Sequence, residues 1–248
     1  MRFGICCGID DAPSMREIGF DYVELPATDL IAKKDAYRLA APETTNVFFP
    51  GSLNLYADQA AVIEYATPLI ASAAEVGVKL MVIGSGRSRT ALEGMSVEKA
   101  TAQFVRLVAK LNTIASNHGI NLAPESLHRG ETNVGNDLAM LAQELRDVGV
   151  GYTADSYHVI TEWNFNGNEG PTPFKHYQDQ IPYLPAHVHV GGKDRLDPSD
   201  DDQEIIAFAH RLRELGYDGR VSLECGRRTG QSLTDTLRNF RTLMTTPT

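Results

Sequence analysis

The chain has 248 residues, 42% of them hydrophobic, which is enough to bury a substantial core and about the length of a single α/β barrel. Its 32 acidic and 23 basic residues give a net charge of -9, which opposes binding to a nucleic-acid backbone. No apolar run approaches the roughly 20 residues of a membrane span, so the expected partner is a small molecule rather than nucleic acid or membrane. The N-terminal stretch MRFGICCGIDD lacks the features of a secretory signal, and a cytoplasmic location is expected. Cys6, Cys7 and Cys225 form neither a disulfide framework nor a CxxC zinc pair and read as buried thiols.

In chain order, short apolar runs alternate with longer segments of helical spacing. Strand one is expected at Arg2 to Cys7, followed by a helix near Ala12 to Ile18, and strand two at Tyr22 to Leu25. Strand three is placed at Asn46 to Phe49. From Asp58 to Val76, Ala61, Ile63, Ala66, Leu69, Ile70 and Ala73 recur at three- and four-residue intervals, and Gly77 stops the helix. Strand four, Leu80 to Ile83, runs into Gly84-Ser85-Gly86. That triplet has neither the Walker lysine nor a GxGxxG spacing and reads as a tight turn.

A helix at Val97 to Asn117 leads to strand five at Ile120 to Ala123, and a helix at Asp137 to Asp147 leads to strand six at Tyr152 to Ala154. Strands seven and eight fall at Ala186 to Val190 and Val221 to Leu223, with closing helices at Asp202 to Leu215 and Ser232 to Met244. The stretch from Thr161 to Tyr183 looks irregular and suits a lid. Eight such units in one domain, residues 1–248, most economically close into a (β/α)8 TIM barrel, with a doubly wound open sheet as the alternative.

Four strands end in chemistry. Glu125 in NLAPESLHRGETNVGN, Asp155 in YTADSYH, His189 in HVHVGGKDR and Glu224 in VSLECG each follow an apolar run. Barrel enzymes carry their reactive groups at these C-terminal strand ends. Buried carboxylates brought together would repel, and a cation offsets that cost. Three carboxylates and one imidazole make an oxygen-rich divalent site that favours manganese or magnesium, with cobalt or zinc also accommodated. Of His187 and His189, only His189 is assigned to the barrel axis, and His187 to packing on the other face. Glu24 reads equally as a pocket-lining or a rim carboxylate.

At these positions the chain resembles the sugar isomerase and epimerase superfamily with the xylose isomerase-like TIM barrel, and within it the ketose 3-epimerases of the D-tagatose and D-psicose type. The motif carrying the resemblance is Glu125-Ser-Leu-His128-Arg129-Gly-Glu131, where His128 replaces the family's usual asparagine. Asp155 with His158, His189 with Arg195, and Glu224 complete it. The resemblance implies one metal ion held by Glu125, Asp155, His189 and Glu224, with Glu131, His158 and Arg195 touching the substrate. It also implies proton transfer by Glu125 and Glu224 through a metal-stabilised enediolate of a ketose or related keto-sugar. The alternative drawing on the same intermediate is a lyase or dehydratase acting on an oxidised sugar or cyclitol. Relatives often pair, so a homo-oligomer is compatible with the resemblance.

Overall fold

The computed structural model describes residues 1–199, 201–227 and 229–246. Its eight strands are β1 Arg2–Cys6, β2 Tyr22–Pro26, β3 Thr44–Asn46, β4 Leu80–Ile83, β5 Asn121–Pro124, β6 Thr153–Asp155, β7 His187–Val190 and β8 Arg220–Leu223. All pair in parallel in the order β5-β4-β3-β2-β1-β8-β7-β6. A bridge between Glu125 and Thr153, with Thr153 Oγ1 donating to the Ala123 carbonyl at 2.9 Å, joins β5 to β6 and closes the ring. That closure excludes the open doubly wound sheet.

The main helices are α1 Ala12–Ile18, α2 Lys34–Ala40, α3 Gln59–Glu75, α4 Gly86–Arg89, α5 Val97–Asn117, α6 Leu138–Asp147, α7 Ser156–Phe165, α8 Phe174–Gln180, α9 Gln203–Glu214 and α10 Leu233–Thr245. Asp58, Ser96, Asp137, Asp202 and Ser232 cap α3, α5, α6, α9 and α10 through their side chains, satisfying amide donors that the first turn leaves free. Among the described residues no helix is long and apolar enough to cross a membrane.

Three expectations need correction. Strand three is Thr44–Asn46, not Asn46 to Phe49: Val47 turns out of the strand with φ of 45°, and Phe48 and Phe49 are buried beyond it as a T-shaped pair. The apolar run there signals core packing, whereas the strand itself is polar. The stretch from Thr161 to Tyr183 is not structureless, since it holds the end of α7 and all of α8, with Trp163 packed on His176 at 4.7 Å. The cysteines form no disulfide among the described residues, but they are half-buried rather than buried.

The hydrophobic core lies mostly between the barrel wall and the helices, where Phe3 meets Phe240 edge-on at 5.3 Å and Phe104, Phe208 and Leu25 are fully buried. Inside the barrel the filling differs. Leu80, Val82 and Ala123 form a separate small cluster, and most of the remaining interior is polar. Tyr22 fills the base because Gly4 leaves room for it: a Cβ at Gly4 would lie 2.3 Å from the Tyr22 ring. Tyr22 Oη and Ser222 Oγ are 2.9 Å apart, which starts a hydrogen-bonded chain running up the axis.

Candidate metal centre at the barrel mouth

That chain passes through Glu24, which neither rims nor lines the mouth. It is fully buried one layer below. Its Oε2 accepts hydrogen bonds from Thr44 Oγ1 at 2.8 Å and Ser222 Oγ at 2.6 Å and lies 2.8 Å from His187 Nε2, while its Oε1 lies 2.8 Å from His189 Nε2. Burial alone would raise its pKa, but the charges and hydrogen bonds of His189 and His187 outweigh this and hold it well below the usual carboxylate range. Both imidazoles therefore point into the barrel, which corrects the assignment of His187 to the opposite face. Residues two apart on a strand share a face. His187 is packed and hydrogen-bonded, as expected, but on the axis.

A carboxylate only accepts hydrogen bonds, so His189 Nε2 donates to Glu24 and Nδ1 is the nitrogen left for other partners; burial opposes a charge on this ring, but Glu24, Glu224 and Glu125 outweigh it and hold its pKa well above the usual imidazole value. Nδ1 faces Glu125 Oε1 at 3.0 Å, Glu224 Oε2 at 3.3 Å and Asp155 Oδ2 at 3.8 Å. A nitrogen aimed at three carboxylates needs positive charge between them, either a proton or a cation. The ligand atoms of Glu125, Asp155, His189 and Glu224 all lie within 4.8 Å of one another. Asp155 Oδ1 caps α7 by accepting from the His158 amide at 3.0 Å, while its buried Oδ2 has no protein partner. Burial, reinforced by Glu125 and Glu224, pushes the Asp155 carboxyl well above its usual pKa. An orphaned buried oxygen, crowded anions and an oriented imidazole all fit a divalent ion at this spot. Gly84 makes the space for it, because a Cβ there would meet Glu125 Oε2 at 2.8 Å.

Glu125 and Glu224 of this cluster line a cavity of 210 Å³ whose wall also includes Glu131, His158, Arg195, Asn46 and Ser85. The three positions expected to contact substrate thus share one cavity with two of the four expected ligands, Glu125 and Glu224. His158 Nδ1 accepts from the His128 amide at 3.2 Å, which leaves Nε2 as the protonated nitrogen, buried and without a protein partner. Burial lowers the His158 pKa to about 3, so the ring is a neutral donor.

Arg195 Nη2 donates to Glu224 Oε2 at 2.8 Å and Nη1 to Glu131 Oε1 at 3.2 Å, and its guanidinium lies over the Tyr157 ring at 5.1 Å. Asp194 and Arg195 both hold left-handed φ angles, 61° and 55°. The Leu196 to Gly226 bridge pins this strained turn, with the Gly226 amide donating to the Arg195 carbonyl at 2.7 Å. His128, standing where the family's asparagine is usual, has Nδ1 accepting from the Gly130 amide at 3.1 Å and stacks on Phe165.

Sequence reasoning missed Asn46, Gly84 and the orienting role of Glu24. None lies in a local motif. The signal available for Asn46 and Gly84 was positional, a polar residue or glycine at or just beyond a strand's C-terminal end, whereas Glu24 lies in the middle of β2.

Fold and site together define a (β/α)8 barrel with a candidate divalent-cation centre at its C-terminal mouth. The sequence matches the xylose isomerase-like TIM barrel family over residues 14–243, and the chain belongs to that family. It is 26% identical over 223 residues to a ketose 3-epimerase of Arthrobacter globiformis, covering 84% of this chain and 74% of that protein. Among solved structures, the apo form of 3-keto-D-glucoside 4-epimerase from E. coli is similar with a TM-score of 0.77 at 20% identity, covering 99% of each chain. A D-psicose 3-epimerase crystallised in the presence of D-fructose is similar with a TM-score of 0.78 at 19% identity, covering 98% of this chain and 97% of that one. At these identities the two structures establish the shared fold.

Proposed function

We propose that the protein is a divalent-metal-dependent sugar epimerase or isomerase acting on a ketose or related keto-sugar, with manganese the favoured ion. One observation carries this reading. Glu125, Asp155, His189 and Glu224 converge within 4.8 Å, and Glu125 and Glu224 line a cavity that also presents Glu131, His158 and Arg195. Support comes from the similarity to a ketose 3-epimerase.

Glu125, Asp155, His189 and Glu224 would hold the ion, which when bound supplies Lewis-acid polarisation of a carbonyl oxygen and offsets negative charge at the reacting carbon. The side chains supply the rest. Glu125 follows β5 and Glu224 follows β8, three strands apart around the ring; in this reading the two carboxyl groups address a bound planar carbon from different sides. One carboxylate takes the proton from the carbon beside the carbonyl. The other, in its acid form, returns a proton to the opposite face, and the two exchange protonation states with each turnover.

Glu224 is held in its ionised, proton-accepting state. Burial works against its ionisation, but His189 and Arg195 outweigh it and lower its pKa to about 2. His158 Nε2–H and Arg195 orient substrate oxygens, with Glu131 accepting from a hydroxyl.

The test is exchange of carbon-bound hydrogen in D2O with the manganese-loaded protein and a panel of ketoses. Glu125→Gln and Glu224→Gln are each expected to lower exchange by at least roughly 100-fold while the fold persists. Full exchange in both variants removes them as proton carriers, and a product that has lost mass points to elimination instead.

A further inference from the structure

Asn46, the last residue of β3, is 7% exposed, and its side chain divides two duties. Its Nδ2 donates to Glu224 Oε1 at 3.2 Å. An ionised carboxylate only accepts hydrogen bonds, so this contact fixes the amide's orientation. Oδ1 must then face away from Glu224, and that oxygen is buried with no partner in the protein. Asn46 also lines the cavity that Glu125 and Glu224 border. A buried acceptor without a partner, on a side chain that lines a cavity, is a place for a ligand's donor.

The backbone holds this arrangement at a cost. Val47 has φ of 45° and Ser85, across the cavity wall, has φ of 54°. A β-branched residue in the left-handed region is an outlier. The two strained turns are joined where the Phe49 amide donates to Ser85 Oγ at 2.9 Å, and Tyr65 Oη donates to the Phe48 carbonyl at 3.1 Å. With Phe48 and Phe49 both buried, the segment after Asn46 cannot relax without disturbing the core.

We propose that Asn46 is a specificity-determining substrate contact: its Oδ1 accepts a hydrogen bond from one hydroxyl of the keto-sugar while its Nδ2 holds Glu224 in position for proton transfer. Recognition of that hydroxyl and placement of the proton carrier are thereby coupled through one side chain. The hydroxyl lies on a carbon close to the one that exchanges, because a single amide reaches both it and Glu224. The inference rests on the epimerase reading above.

The experiment uses the full manganese-loaded chain, D-ketohexoses, and the mono-deoxy analogues of whichever ketohexose exchanges fastest, with deuterium incorporation from D2O as the readout. In the wild type, loss of one particular hydroxyl is expected to lower kcat/KM roughly 10- to 100-fold. In Asn46→Ala that discrimination collapses to within about threefold, since the acceptor is gone. Asn46→Asp, nearly identical in shape, keeps an acceptor but loses the donor to Glu224. It is expected to retain the discrimination while kcat falls at least roughly 10-fold, and it carries the test if the alanine variant fails to fold.

Discrimination in Asn46→Ala equal to that of the wild type, or wild-type kcat in Asn46→Asp, overturns the inference and leaves the epimerase reading standing. Absence of exchange by the wild type into any ketose overturns both.

Discussion

Replacing Glu24 with glutamine probes the orienting layer beneath the candidate metal centre. The carboxylate is fully buried and has four neighbours, Thr44 Oγ1, Ser222 Oγ, His187 Nε2 and His189 Nε2, at 2.6 to 2.8 Å. Glutamine keeps the shape but turns one oxygen into an NH2 group that faces donors. Whichever way the amide sits, either His189 or the group of three loses its acceptor. Hydrogen bonds to a charged group are worth about 1.5–3 kcal/mol each, so the expected loss of stability is about 2–5 kcal/mol. For a chain of this size that lowers Tm by roughly 5–15 °C.

The imidazole also loses the partner that keeps Nδ1 facing the three carboxylates, and manganese affinity should fall roughly 10- to 100-fold. Differential scanning calorimetry of the apo protein and calorimetric titration with MnCl2 measure the two effects separately. Manganese binding within about twofold of wild type would refute the orienting role of Glu24, whatever happened to Tm.

Gly84→Ala should weaken manganese binding while leaving Tm nearly unchanged, because the new methyl meets the end of the Glu125 side chain at 2.8 Å rather than backbone; titration of the variant checks this. Gly4→Ala should do the reverse, costing at least about 1–3 kcal/mol through collision with the buried Tyr22 ring, as read from denaturant unfolding of the apo protein. Glu43 sits at the opposite end of the barrel against Arg220 Nε at 2.8 Å and Arg2 Nη1 at 2.5 Å. Partial burial opposes its ionisation, but the two guanidiniums outweigh it and lower its pKa. Because the folded pKa lies below the unfolded one, this stabilisation is complete above the unfolded value and fades as pH falls through the folded value. The stability gap between wild type and Glu43→Gln, no more than about 1 kcal/mol for a half-buried group whose partners are open to solvent screening, should therefore shrink between neutral pH and pH 3; a gap that widens on acidification contradicts the pairing.

The legible parts of the sequence were those where chemistry and local pattern coincide. Glu125, Asp155, His189 and Glu224 announce themselves because each closes an apolar run, and the structure brings them together. Strand three was misplaced because Thr44-Thr45-Asn46 is polar on both faces: the barrel interior at that level is a hydrogen-bonded network, and the apolar signal belongs to the buried Phe48 and Phe49 that follow. Helix α8 was missed because it is short and flanked by Gly170, Pro171 and Pro173, which mask its pattern. Glu24 and Asn46 lie 165 and 178 positions from His189 and Glu224, the groups they hold. No spacing rule links them, and only closure of the barrel does.

The claim on which the rest depends is a single divalent cation at the barrel mouth, and anomalous diffraction from a manganese-soaked crystal addresses it directly. One peak is expected, within about 2.0–2.4 Å of oxygens from Glu125, Asp155 and Glu224 and of His189 Nδ1, with His189 Nε2 still on Glu24. A peak elsewhere in the molecule, or none with manganese in excess, contradicts it.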